Sequence, residues 1–200
     1  WGKGNLVQTP RIPWVAMRCF RQTGDARSLR AWYPRLVRYH HYLNESRDRR
    51  FLDLHLWAIL ASYDTGLDTT AAFHKVNYGE RGRCERFCYP AIFAAERCRY
   101  DQAMAKLAKV LGSSEEEFWL AEADRTRQAM DRVLWDRRKK WYGVRHEDES
   151  LDTRVGVDGL FPFAYRSVDD AKARQARGNF AKLIGPYGVR PTAPDKPGFR

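Results

Sequence analysis

Asp25-Ala26-Arg27-Ser28-Leu29-Arg30-Ala31-Trp32-Tyr33-Pro34-Arg35-Leu36-Val37-Arg38-Tyr39-His40-His41-Tyr42-Leu43 is the stretch that decides the fold class. Leu29, Trp32, Tyr33, Leu36, Val37, His40 and Leu43 recur at spacings of three and four with arginines between them, so one amphipathic helix is expected over about 27–45. His40 and His41 diverge by roughly 100° on such a helix and cannot share one ligand site, which gives both a structural part. Upstream, Gln8-Thr9-Pro10 ends a polar start, and Pro13 suits the first turn of a helix. Trp14, Val15, Met17 and Cys19/Phe20 give that helix an apolar face until Thr23-Gly24-Asp25 closes it and opens the next.

Downstream, a polar loop from Asn44 to Arg50 leads into the apolar run Leu54, Leu56, Trp57, Ile59 and Leu60. A long helix is expected over about 85–111, split or started by Pro90 and stopped by Gly112. Ser114 and Glu117 are spaced as a capping box for a further helix running to about Trp135. Lys139 to Gly143 reads as a turn with a short strand, 147–159 as an acidic loop, and Leu160 to Tyr165 as an apolar knot at a helix entrance. A last helix covers about 169–184, and four prolines make the tail from Gly185 irregular. The expectation is an all-α fold of about six helices arranged as consecutive antiparallel hairpins.

The chain has 200 residues, 44% of them hydrophobic and 14% aromatic, enough for one domain with a core. Its formal charge of +11 raises nucleic acid as a partner. The cations are spread from Arg11 to Arg200 and interleaved with acids, as in Arg125, Arg127, Asp131, Arg132, Asp136 and Arg137. That pattern is solvated helix faces, with no nucleic-acid motif, so no specific nucleic-acid partner is expected. No apolar run approaches the roughly 18 residues of a membrane span. Cys84-x3-Cys88 lacks zinc-knuckle spacing, so neither a metal nor another cofactor is expected. Cys88 and Cys98 read as buried thiols of an apolar helical stretch, the pattern of a reducing compartment. Trp1-Gly2-Lys3-Gly4 carries neither an initiator Met nor a signal peptide; the expectation is a cytoplasmic chain that begins within a longer protein.

Tyr63-Asp64-Thr65-Gly66-Leu67-Asp68-Thr69-Thr70 follows the apolar run and admits two readings. Asp64 and Asp68 cap a helix across a glycine turn. Alternatively, Asp68 is a general acid whose apolar neighbours Tyr63 and Phe73 keep its proton available near neutral pH. His74 is close enough in sequence to serve as a partner of Asp68, and His55 and His146 are scattered.

In chain order the motifs resemble the (α/α)6-barrel glycoside hydrolases: mannosylglycerate and glucosylglycerate hydrolases, family sixty-three α-glucosidases, and trehalases. Gln8-Thr9-Pro10 is similar to the Gln-Pro-Pro that opens a barrel helix there, and Thr23-Gly24-Asp25 with Tyr33-Pro34-Arg35-Leu36 resembles its helix hairpin. Arg47-Asp48 stands where those proteins have Arg-Asp before the catalytic loop. Tyr63 to Thr69 resembles Trp/Tyr-Glu-Ser/Thr-Gly-x-Asp-Asn/Thr, whose last Asp is the general acid. Leu107-Ala108-x-x-Leu111-Gly112, Leu134-Trp135-Asp136, Leu160-Phe161-Pro162-Phe163 and Pro186-Tyr187-Gly188-Val189 follow in order. Asp64 replaces the usual Glu, and Cys88-Tyr89-Pro90-Ala91 stands where relatives have Asp-Leu-Asn-Ala.

The resemblance implies an inverting hydrolase of a small α-glycoside, such as a glycosylglycerate, a trehalose-like sugar or a short α-glucoside. Asp68 would be the general acid, and Tyr63, Asp64, Gly66, Gln8, Tyr187 and Gly188 would meet the substrate, with Asp64 a sugar-hydroxyl ligand or a charge that tunes Asp68. Tyr63, Trp57 and Phe73 would supply apolar walls. The general base of such enzymes is a Glu after a Tyr-Trp-Arg-Gly-Pro-x-Trp segment, and neither is in this sequence. Residues 1–200 are therefore expected to form a single partial catalytic domain, about half of an (α/α)6 barrel. The competing expectation is a non-catalytic α/α toroid that binds a carbohydrate or a protein.

Overall fold

The computed structural model describes Val7, residues 9–67, 71–73, Val76 and residues 87–194. Six α-helices carry these residues: α1 (Ile12–Thr23), α2 (Ala26–Asn44), α3 (Ala91–Leu111), α4 (Glu116–Val133), the single turn α5 (Phe161–Ala164) and α6 (Asp170–Leu183). Seven short strands supplement them: β1 (Cys88–Pro90), β2 (Trp135–Asp136), β3 (Trp141–Tyr142), β4 (Val144–His146), β5 (Leu151–Asp152), β6 (Ile184–Gly185) and β7 (Gly188–Val189). Helices α1 and α2 form one antiparallel hairpin and α3 and α4 the next, with α3 packed against both α1 and α4.

The helix limits follow from local chemistry. Pro13 lies in the first turn of α1, and Gly24 ends the helix at φ 69°, with its N–H donating to Phe20 O at 2.7 Å. Asp25 then caps α2 by accepting from Ser28 N at 3.0 Å. Gly112 closes α3 at φ 68°. The expected capping box at Ser114 and Glu117 does not form. Helix α4 starts after Glu115 with no side-chain cap, and Ser113 Oγ accepts the Glu115 N–H at 3.3 Å instead, so the polar turn stabilises itself one residue earlier.

Three further expectations are corrected. The polar stretch after α2 continues as a π-helical turn over Glu45–Arg49 that turns Arg47 and Asp48 inward. Residues 88–90 are strand, so Cys88 is buried on β1 rather than in a helix, whereas Cys98 is buried on α3. The segment after α6 forms the β6–β7 hairpin, with Ile184 opposite Val189, in place of an irregular tail. Cys84 lies outside the described residues.

The core is aromatic and its polar edges are spent internally. Trp57 and Trp119 are fully buried; Trp57 Nε1 donates to Asn44 Oδ1 at 2.8 Å and Trp119 Nε1 to Tyr33 Oη at 2.7 Å. A buried ionic spine runs beside them. Arg97 reaches Asp48 at 3.0 Å and lies 5.2 Å from the Trp57 ring centroid, while His40 Nε2 stands 3.1 Å from Asp101. His40 thus takes the structural part expected of it. Strand order β1-β4-β5 sets a small antiparallel sheet at the N-terminal end of α3, with Tyr89 opposite Arg145 and Val144 opposite Asp152. Among the described residues no helix is long and apolar enough to cross a membrane.

Candidate active site

The turn leading to Asp68 is organised by a buried carboxylate. Extended backbone at Ala61 feeds a 3-10 turn over Ser62–Asp64, Thr65 Oγ1 donates to Ser62 O at 2.8 Å, and Gly66 reverses the chain at φ 72°. A Cβ at Gly66 would meet nothing within 4 Å, so the left-handed backbone alone asks for glycine there. Asp64 is fully buried: its Oδ1 accepts from Val7 N at 2.9 Å and its Oδ2 from Leu60 N at 3.0 Å. Burial pushes its pKa up, against those two backbone donors and the nearby Arg47 charge.

A carboxylate used in this way has no oxygen turned to a sugar hydroxyl. Asp64 instead ties the loop before Asp68 to the segment entering α1. Asp64→Ala leaves the buried Val7 N–H and the half-buried Leu60 N–H unsatisfied and is expected to cost about 1–3 kcal/mol. Amide hydrogen exchange at Leu60 should accelerate accordingly, and unchanged protection there would contradict the anchor.

Asp68, Gln8 and His74 lie outside the described residues. Their neighbours show which segments meet. Gln8 is bracketed by Val7, bonded to Asp64, and by Thr9, whose hydroxyl donates to the Asp64 carbonyl at 3.4 Å. The N-terminal segment and the Ser62–Asp64 turn are therefore in contact. Tyr63 is 56% exposed and stands free of the core, with Gly66 exposed beside it. Trp57 and Phe73 are fully buried core residues, which removes them as sugar-facing walls. Tyr187 and Gly188 sit at the exposed tip of the β6–β7 hairpin, on a separate element after α6.

The sheet fixes the loop from its other side. Ile59 N donates to Cys88 O at 2.8 Å and Cys88 N to Ile59 O at 3.1 Å, which fastens the chain entering the loop to β1. Ala72, four residues after Asp68, shares a crevice with Gly143, Asp152, Arg154, Asp158 and Thr192. Asp158 lines this crevice, and nothing local in the sequence signals its part. It is buried and accepts from Ala91 N at 3.2 Å and Ile92 N at 2.9 Å, capping α3 from more than sixty residues away. Glu96, buried on α3, accepts from Arg11 Nε at 2.8 Å and from Tyr165 Oη at 2.7 Å. Among the described residues no group of His, Cys, Asp or Glu has the arrangement of a metal site.

Burial raises the Asp158 pKa to about 7, against its two backbone donors. An acid whose ordinary value of 3.8 rises to about 7 holds its proton more tightly when folded. Its stabilising contribution is thus present below pH ~4 and lost as pH rises toward ~7. Asp158→Asn stays neutral and is expected to abolish that fall, so the Tm difference between variant and wild type shifts toward the variant from pH ~4 to ~8. A difference that does not change with pH would contradict the assignment.

Helix hairpins with a sheet-held loop at the N-terminal end of α3 define an α/α-toroid architecture. The chain belongs to the family described as the mannosylglycerate hydrolase MGH1-like glycoside hydrolase domain, which matches it over residues 2–200. Among solved structures, the GH63 mannosylglycerate hydrolase from Thermus thermophilus in complex with glucose superposes with a TM-score of 0.82 at 16% identity, covering 98% of this chain and 57% of that one. The same hydrolase in complex with Tris and D-glycerate gives 0.83 at 16% identity, over 100% of this chain and 61% of that one. A GH78 family rhamnosidase of Bacillus sp. GL1 is more distant, at 0.61 and 17% identity over 84% of this chain and 16% of its own. No curated protein matches the chain by sequence. The chain thus spans about three-fifths of the length of the hydrolase structures it matches.

Proposed function

We propose that this chain is the acid-bearing part of an inverting glycoside hydrolase acting on a small α-glycoside, with Asp68 as general acid. The observation that carries the reading is the family match over residues 2–200, with the loop before Asp68 anchored through Asp64 to both Leu60 and Val7. Inversion needs a second carboxylate on the opposite face of the sugar, roughly 6.5–9.5 Å away, to activate water. Asp64 is buried with both oxygens engaged and Asp158 is engaged with the start of α3, so neither serves. The base belongs to the part of the toroid that this chain does not span, and residues 1–200 act as a partial catalytic domain. Exposed Tyr63 and Gly66, on the loop that precedes Asp68 in the chain, are the sugar contacts of this reading, and Gln8 is assigned to the same side because its sequence neighbours Val7 and Thr9 bond to Asp64. Tyr187 and Gly188, at the exposed tip of the β6–β7 hairpin, are the further sugar contacts of this reading.

Substrates in the classes of glycosylglycerates, trehalose-like sugars and short α-glucosides fit this reading, since the related hydrolase binds glucose and D-glycerate in its crystals. The test is the anomeric configuration of the first sugar released by the complete parent protein, followed by NMR before mutarotation. Inversion is expected. Retention would overturn the two-carboxylate arrangement, and binding of these sugars without cleavage would mark the non-catalytic toroid.

A further inference from the structure

Between α1, α3 and the residues after α5 lies a hollow of about 310 Å³. Arg18 and Arg21 of α1, Arg99 and Lys106 of α3, and Arg166 line it, and no carboxylate does. Among the described residues none of these five cations forms an ion pair. The Arg99 guanidinium is held between rings, 4.2 Å from the Trp14 centroid and 4.4 Å from that of Tyr165, and Arg18 lies 5.0 Å from Trp14.

These rings are themselves fixed. Tyr165 Oη donates to Glu96 Oε1, which also takes Arg11 Nε, so the carboxylate one turn before Arg99 is already engaged elsewhere. Arg166 holds a left-handed backbone at φ 54°, uncommon for a residue with a side chain, with its N–H on Phe163 O at 3.0 Å. Arg18, Arg21, Lys106 and Arg166 are exposed and Arg99 is half-buried, so water screens their repulsion while their common sign still favours an anion in the hollow. A single carboxylate would leave most of that charge uncompensated. A phosphoryl group carries more than one charge and matches the guanidinium fork, and the Arg99 guanidinium, already held between two rings, loses little freedom on binding it.

We propose that this hollow is a binding site for a small phosphorylated ligand, either a free oligophosphate or a sugar phosphate, with Arg99 as its central contact. The proposal rests on these residues alone and does not depend on the role given to Asp68. Calorimetric titration at constant ionic strength with inorganic pyrophosphate, and separately with glucose 6-phosphate, tests it. Saturable one-site binding of at least one probe is expected, and the tighter of the two identifies the source. Arg99→Gln should weaken that binding about tenfold or more, the size of one charge-assisted contact. Arg18→Gln, at an exposed position, should weaken it as well should Arg99→Gln lower the yield of folded protein. Arg137→Gln, an exposed cation on the turn after α4, should leave it within about twofold, which separates a site from the effect of net charge. No saturation by either probe, or equal weakening by Arg137→Gln, overturns the proposal.

Discussion

Asp68→Asn in the complete parent protein is expected to lower kcat on an O-glycoside by about 10²–10⁴-fold with a far smaller change in KM. The loss falls on kcat because the proton is delivered to the glycosidic oxygen only as the bond breaks, while sugar contacts made by neighbours persist in the ground state. Asn is nearly isosteric, and the loop is held upstream of it by Asp64 through Val7 and Leu60, so the fold should survive the change. Far-UV circular dichroism and Tm should match wild type. A variant with normal turnover would remove the role assigned to Asp68.

Arg97→Met is expected to destabilise the folded chain by about 3–5 kcal/mol, because it leaves a buried carboxylate without its cation. Arg97 and Asp48 have side-chain exposures of 1% and 4%, and the guanidinium also stands 3.4 Å from His55 Nε2. His55 cannot stand in for it. In the wild type, burial, with the Arg97 and Arg125 charges adding to it, lowers the His55 pKa to about 4, and burial, the largest cause, still disfavours the charged ring once Arg97 is gone. The double variant Arg97→Met/Asp48→Leu should recover much of the loss, since neither charge is then stranded. Urea unfolding of the single and double variants measures both numbers. A single-variant cost below ~1 kcal/mol would show that Asp48 is solvated or protonated without Arg97.

These two residues divide what sequence made legible from what it did not. The period of three to four from Leu29 to Leu43, Gly24 and Gly112 in left-handed geometry, and Asp25 as a cap all act within a few residues, and each limit they set reappears in the helices. The ordered motifs identified the toroid because each marks a helix end or loop that the architecture repeats. What could not be read depends on distant partners. Arg47-Asp48 reads as polar loop because nothing near it announces Arg97, forty-nine residues on from Asp48. Asp64 reads as a sugar ligand because its amide partner at Val7 is fifty-seven residues back. Ser114 and Glu117 have capping-box spacing, yet the turn beginning at Ser113 satisfies itself first. The hollow at Arg99 is hidden by the even spread of charge along the chain, since its cations come from α1, α3 and the residues after α5.

The central claim is that Asp68 donates a proton to the leaving group, and changing that group separates this role from a general loss of activity. Fluoride departs from a glycosyl fluoride without needing a proton, whereas the alkoxide of an O-glycoside does need one. The measurement is the ratio of kcat/KM for the matched glycosyl fluoride and O-glycoside in the wild-type parent protein and in Asp68→Asn. The variant is expected to keep fluoride hydrolysis within about tenfold while O-glycoside hydrolysis falls by about 10²–10⁴, so the ratio rises by at least about tenfold. A ratio unchanged between variant and wild type, with both activities lost together or both retained, would contradict it.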